Sequence, residues 1–385
     1  MTPSPPNIAG AGCLDWLASN EFSAGVRQPA SRHVLIGVLN GEGIGPEVVQ
    51  ASLEVLQATA TVHGFTLGLE YGGEIGRLAE KRGQPPLPAD VVAFASRIFS
   101  RGGALLNGPG GGRYVYDLRA QFDLFCKLNP IVVPAEFAGA GRMRDGHTAE
   151  VDLLIVREGA SGLYQGQAVS THDPKGERRR DHTFGYSETE VRRVVTVAAR
   201  LAQQRRNKLT VVYKEAGVPG ISELWRDCAQ DIAAAHAVGC EFLDIDYAGY
   251  RLLQQPRDFD VIVAPNLFGD ILSDLGGVLL GSRALTFGGS FSAAGHAVYQ
   301  TNHGAAYDLA GTDRANPLGQ IYSAALMLRE SFGLIDAAEA IHAAVRAVWR
   351  AGWRTADLPE GNHPIVGTRQ LGQLVAEAVR APAAA

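Results

Sequence analysis

Short, unbroken apolar runs recur along this chain, separated by longer stretches in which apolar residues return every three or four positions. The runs are VLIGVL at 34–39, GALLNG at 103–108, VDLLIVRE at 151–158, KLTVVYK at 208–214 and FDVIVAP at 259–265. Each is too short for a core helix and several are closed by Asn, Gly or Pro, which predicts strands buried on both faces. Pro46 stands where a helix likes to begin, and residues 47–56 continue at helical spacing. The same spacing predicts helices within 187–206, 222–237, 316–330 and 337–352. Apolar strands alternating with amphipathic helices predict an α/β protein with a parallel or mixed sheet.

Composition narrows the class. The 385 residues are 46% hydrophobic and 19% charged, enough for two or three compact units with a large core. Residues 1–32, rich in Pro, Ala, Ser and Gly, read as an N-terminal extension with one helical turn around Leu14–Leu17, and the closing APAAA reads as a frayed end. A net charge of −5 argues against nucleic-acid or acidic-membrane partners, and no apolar run reaches the roughly 18 residues that cross a bilayer. The four cysteines (Cys13, Cys126, Cys228, Cys240) have neither paired nor zinc-type spacing, and the N-terminus has no basic-then-apolar leader. The expectation is a soluble cytoplasmic enzyme or small-molecule binder.

Four stretches carry candidate chemistry. GEGIGPE (41–47) follows a strand and opens a helix, but Pro46 occupies the third glycine of a dinucleotide fingerprint, so the Rossmann match fails and a tight helix-capping turn remains open. In NLFGDILSD (266–274), Asp270 and Asp274 are four apart and share one helix face. Two such carboxylates can hold a hard divalent cation, although a solvated acidic face has the same pattern; here the flanks are strongly apolar. NHGAAYDLAGTDRANP (302–317) could wrap a nucleotide, with Asp308 accepting from ribose hydroxyls, or could be an ordinary connecting loop. Arg157 and Lys214 end strands, Arg119 lies in DLRAQFDLF and Tyr164 stands seven residues beyond Arg157; guanidinium groups at such places can fork onto a carboxylate, though singly each is more often a surface charge.

Together and in this order, GEGIGPEVV, LRAQFDLF, REGASGLYQG, VVYK, IDYAGY, the block FDVIVAPNLFGDILSDLGGVLLGS and HGAAYDLAGTDRANP resemble the β-decarboxylating dehydrogenases, the isocitrate/3-isopropylmalate dehydrogenase family. The resemblance runs from about Val34 to about Val375. It implies an isopropylmalate/isocitrate dehydrogenase-like fold: two α/β domains sharing a large mixed sheet, without a Rossmann domain. Residues 33–124 plus 281–385 would bind the cofactor, and 125–280 would bind substrate and dimerise. It further implies a homodimer with shared active sites. Asp270 and Asp274, joined by Asp246 from the partner chain, would hold Mg²⁺ or Mn²⁺. Lys214 would take the substrate hydroxyl proton, for which its pKa must fall, and Tyr164 would return a proton to the enolate. Arg119 and Arg157 would clamp the departing carboxylate. NAD would lie on the turn around Ile44 and on His303, Gly304, Asp308, Leu309 and Asn316, the Asp308–Leu309 pair favouring NAD over NADP.

The chain departs from the family inside this site. Glu42 replaces the aspartate of the glycine turn, and KLNP (127–130) replaces NLRP, so an arginine becomes Asn129 while Lys127 stands two residues earlier. The loop before Arg119 is shortened to GPGGGRYVYD. These changes, with the metal carboxylates kept, imply an NAD- and metal-dependent oxidative decarboxylase of a 3-carboxy-2-hydroxy acid with an altered substrate, Lys127, Arg113 and Tyr114 reading the new group. A dehydrogenase that keeps its CO₂, and a catalytically silent binding or regulatory subunit, are the alternatives.

Overall fold

The computed structural model describes residues 32–144, 146–358 and 362–381. Apart from Arg32, the expected extension with its turn at Leu14–Leu17, and all but the first residue of the closing APAAA, lie outside the described residues. In chain order the elements are β1 (His33–Leu39), α1 (Gly45–His63), β2 (Thr66–Tyr71), α2 (Gly76–Lys81), α3 (Ala89–Ser100), β3 (Ala104–Asn107), α4 (Tyr114–Gln121), β4 (Cys126–Val132) and β5 (Asp152–Glu158). There follow β6 (Gln167–His172), β7 (Arg178–Thr183), α5 (Glu188–Gln203), β8 (Lys208–Tyr213), α6 (Pro219–Ala235), β9 (Gly239–Asp244), α7 (Ile245–Gln254), β10 (Val261–Ala264) and α8 (Asn266–Leu279). The chain ends with β11 (Phe287–Phe291), β12 (Ala297–Thr301), α9 (Leu318–Phe332), α10 (Ile335–Arg350) and α11 (Thr368–Arg380).

Ten strands form one mixed sheet in the order β2-β1-β3-β12-β11-β4-β5-β10-β8-β9. The outer strands run parallel to their neighbours, whereas β12–β11, β11–β4 and β4–β5 are antiparallel. β6 and β7 form a separate two-stranded ribbon whose side chains are almost all exposed. The five strands expected from apolar runs are β1, β3, β5, β8 and β10, and the expected helices are α1, α5, α6, α9 and α10. α1 runs on to His63 because Gly64, left-handed at φ 69, is the first residue to stop it. α5 starts on a capping box in which Ser187 and Glu190 satisfy each other's backbone N–H groups.

Helices cover both faces of the sheet, as buried parallel strands require. α9 is buried along its whole length, against β3, β11 and β12 on one side and α1 and α10 on the other. α1, the first helix, packs along α11, the last; a Cβ added at Gly372 would come within 2.8 Å of the Ala51 Cβ. In the other half, Arg205 and Asp260 form an ion pair at 2.7 Å with both side chains almost fully buried.

Candidate active site

The carboxyl end of β5 delivers Arg157 and α8 meets it there. The approach is close: a Cβ at Gly269 would fall 2.7 Å from Arg157, so only glycine lets the helix lie on this side chain. Arg157 is 1% exposed. Its Nε and Nη2 donate to Asn266 Oδ1 at 3.0 and 2.8 Å, and its Nη1 donates to Asp270 Oδ1. The other oxygen of Asp270 accepts from the Tyr164 hydroxyl at 2.8 Å. One turn further along α8, Asp274 takes two bonds from Arg283, at 3.0 and 2.6 Å. The sequence spacing therefore put both aspartates on one face, and each is matched to a guanidinium that the spacing did not reveal.

These neighbours set the protonation states. Burial works to raise the Asp270 pKa, but Arg157, Lys127 and the Tyr164 hydrogen bond outweigh it and hold the carboxyl below its ordinary value. Burial and the adjacent Asp270 push the Tyr164 phenol up. Burial, with Arg157 nearby, pushes Arg119 down to about 10, which leaves it charged at neutral pH. Arg119 is 3% exposed, and its Nε and Nη1 have no hydrogen-bond partner; its guanidinium lies 5.8 Å from the centre of the Tyr116 ring. Tyr116 in turn packs on Tyr164 at 4.8 Å between centroids.

β4 runs antiparallel beside β5 and sets Lys127 directly opposite Arg157. Lys127 and Asn129, two apart on the strand, face the same way, and both are buried. Burial, then Arg119 and Arg157, lower Lys127 well below the ordinary lysine value. Neither amide atom of Asn129 has a partner.

Lys214 and Asp246 lie elsewhere on this chain, at the carboxyl end of β8 and the start of α7. Lys214 donates to Asp246 at 2.7 Å and Asp244 at 3.1 Å. The expected fall of its pKa is not found in the single chain: the hydrogen bonds to Asp246 and then Asp244 raise it and outweigh the lowering effect of burial. Among the described residues no three His, Cys, Asp or Glu side chains converge as a cation site. Asp270 and Asp274 present hard oxygen donors on one face of α8, of the kind that suits Mg²⁺ or Mn²⁺, although in the single chain Arg157, Tyr164 and Arg283 engage them; Asp246 of the same chain does not join them.

A second wall is made by the glycine turn and the 302–317 loop. Gly41 and Gly43 both have positive φ, and a Cβ at Gly43 would meet the Ala305 oxygen at 2.0 Å. Ile44 donates its N–H to that oxygen at 2.9 Å, and its side chain shares a small apolar cluster with Val48, Ala315, Ala306 and Leu309. The open reading of GEGIGPE as a tight turn at a helix start thus holds, and the turn also touches the loop expected to carry the cofactor. Asp308 is exposed. His303 bonds Gly304 O through Nδ1 at 3.0 Å and leaves Nε2 without a partner, and burial lowers its pKa. Asn316 is held internally: its side chain caps Leu318 at 3.0 Å and bonds Asp357 at 3.2 Å. Buried atoms of Asn107, Thr301 and Asn302 on the neighbouring strand ends also lack partners, as expected of a surface built to receive a polar ligand.

Sequence reasoning marked Glu42 only as a departure. It is 1% exposed and ties three segments together, accepting from Leu78 N at 2.6 Å, Gly111 N at 2.7 Å and the Tyr307 hydroxyl at 3.0 Å. Nothing local in GEGIGPE signals this; the partners lie 36, 69 and 265 residues away.

The fold and the side-chain cluster are those of a dehydrogenase that oxidatively decarboxylates a hydroxy acid. The profile of the isocitrate/isopropylmalate dehydrogenase family matches residues 35–375, and the chain belongs to that family. It is 38% identical over 364 residues to a 3-isopropylmalate dehydrogenase of Synechococcus, covering 92% of this chain and 95% of the relative. It is 37% identical over 358 residues to that of Geobacillus kaustophilus, covering 89% and 95%. Among solved structures, isocitrate dehydrogenase from Methylococcus capsulatus superposes with a TM-score of 0.80 at 29% identity, covering 90% of this chain and 100% of that one.

Proposed function

We propose that the protein catalyses NAD- and Mg²⁺- or Mn²⁺-dependent oxidative decarboxylation of a 3-carboxy-2-hydroxy acid, as a homodimer, on a substrate altered from that of its relatives. The observation that carries this reading is the Arg157–Asp270–Tyr164 cluster with Asp274 one turn away, in a chain whose relatives are 3-isopropylmalate dehydrogenases. Arg119 and Arg157 hold the carboxylate that leaves. Tyr164 stays protonated at working pH, because burial and Asp270 disfavour the phenolate, and this supports its role as the group that returns a proton to the enolate. When bound, the divalent cation supplies Lewis-acid stabilisation of the alkoxide and enolate oxygens.

Lys214 is assigned to the hydroxyl proton. In the single chain two carboxylates keep it charged, so commitment of Asp246 to another contact is what would free it to act as a base. A two-fold dimer would provide such a contact, and the exposure of Lys214 and Asp246 supports it. The adjoining helices α7 and α8 pack on each other and expose Tyr247, Tyr250, Ile271 and Val278, an apolar face that suits a subunit interface. The two-domain division, with the cleft between 33–124 plus 281–385 and 125–280, belongs to the same reading. Asp308 favours NAD, because an exposed carboxylate accepts from a free ribose hydroxyl and repels a 2′-phosphate.

The test is a panel of 3-substituted malates with NAD and Mg²⁺, measuring NADH and CO₂ together. Equal yields of both on at least one acid are expected. NADH without CO₂ would leave a plain dehydrogenase, and metal binding without NADH on any acid would leave a silent family member.

A further inference from the structure

We infer that Lys127 is a specificity-determining anion-binding residue: with Arg119 it forms a two-cation seat for a substrate carboxylate, displaced one side-chain place along β4 from Asn129. This rests on the hydroxy-acid dehydrogenase reading above and names the residue that departs from it.

Three features of the β4 region converge. First, Lys127 is opposite Arg157 on β5 and opposite Ser290 on β11, so the three side chains form one row across three strands. Like charges directly opposite on neighbouring strands destabilise a sheet, and both cations here are at least 96% buried. Second, the compensation is uneven. Asp270 pairs with Arg157 and Asp274 with Arg283, whereas Lys127 makes no side-chain hydrogen bond or ion pair among the described residues, and Arg119 keeps Nε and Nη1 unpartnered. Two buried basic side chains without a carboxylate of their own are costly to charge in the free protein. The cost is recovered when an anion with at least two oxygens settles between them. Third, Asn129 is fully buried with both amide atoms unpartnered and faces the same way as Lys127, so a neutral hydrogen-bonding berth lies beside the cation. An arginine at 129 would fork onto a carboxylate; a lysine at 127 offers a point charge some 7 Å earlier along the strand at the usual rise. The substrate class that fits carries its carboxylate toward Lys127 and a polar group toward Asn129.

The experiment uses the intact protein and D-malate, the simplest acid with both carboxylates, measured by calorimetry and thermal shift in Mg²⁺. Lys127→Met is expected to weaken D-malate binding at least tenfold and, unlike an ordinary structural lesion, to keep or raise the Tm of the unliganded protein. Lys127→Gln, of similar length and neutral, should behave the same way if the Met variant folds poorly. D-malate affinity within twofold of wild type in both variants, a fall of several degrees in unliganded Tm with affinity kept, or failure of the wild type to bind D-malate would overturn the inference. The parent reading is scored separately. Lys127-dependent binding with no NADH from any acid would sink the dehydrogenase assignment alone. NADH formation with kcat/KM unchanged in Lys127→Met would sink the Lys127 assignment alone.

Discussion

Removing the Glu42 carboxylate should release three segments beside the glycine turn from one another. Its oxygens hold the start of α2 through Leu78 N, the shortened substrate loop through Gly111 N, and the 302–317 loop through Tyr307. Hydrogen bonds to a charged acceptor contribute about 1.5–3 kcal/mol each. Three of them would suggest about 4.5–9 kcal/mol, but water entering the vacated space re-satisfies part of the donors, so about 3 kcal/mol is the working figure. If that energy keeps both loops in their ligand-ready arrangement, Glu42→Ala should lower kcat/KM on the order of a hundredfold, expressed as weaker NAD and weaker hydroxy acid together. Glu42→Asp, shorter by one methylene, should recover only part because it cannot span to all three donors. Calorimetric NAD affinity and initial rates with either ligand varied make the measurement. A variant whose Tm falls while both affinities stay within twofold would refute the coupling and leave Glu42 as packing alone.

Three further outcomes are expected. Asp308→Lys should raise the NADP-to-NAD ratio of kcat/KM at least tenfold, since it replaces repulsion of a 2′-phosphate by attraction; an unchanged ratio would remove Asp308 from cofactor choice. Glu158 is buried and pushed up to about 7 by that burial, although Ala160 N and Ser161 N donate to it. Its folded pKa lies above its unfolded one, so the stability it gives is whole below about pH 4.5 and is lost as pH rises to about 7, a loss of about 3 kcal/mol. The Tm of wild type relative to Glu158→Gln should therefore fall across that window and be flat above it; a pH-independent difference would contradict this. Asp260→Ala should cost about 1–3 kcal/mol, because Arg205 Nε and Arg206 N lose their acceptor while Arg205 keeps Asp152, read as a drop in urea midpoint, and a loss under about 0.5 kcal/mol would show the pair to be dispensable.

Legibility in the sequence followed what each segment has to bury. β1, β3, β5, β8 and β10 have both faces covered and no chemistry to perform at their centres, so they read as plain apolar runs. β4 is as buried as they are, yet CKLNPIV escaped notice because Lys127 and Asn129 face the cleft, and function broke the pattern where the site begins. β11 was hidden by its glycines: FGGSF has them because a Cβ at Gly288 would meet the Leu128 oxygen at 2.3 Å. Periodicity alone placed Asp270 and Asp274 on one face. The matched cations Arg157 and Arg283, the clamp at Glu42 and the pairing of Lys214 with Asp244 are long-range or cross-element contacts. The likeness to a known family named Arg157 and Lys214 but none of these contacts.

That α1 rests on α11 has a consequence for synthesis. A ribosome making this protein releases α1 early, yet the surface that covers it is encoded some 300 residues later. At elongation rates of about 5–20 residues per second, the nascent helix waits some tens of seconds for its lid. During that interval the middle strands, whose contacts are largely with one another, are free to assemble first. Chains terminated before Thr368 should therefore be clients of chaperones and proteases, whatever the integrity of the strands already made.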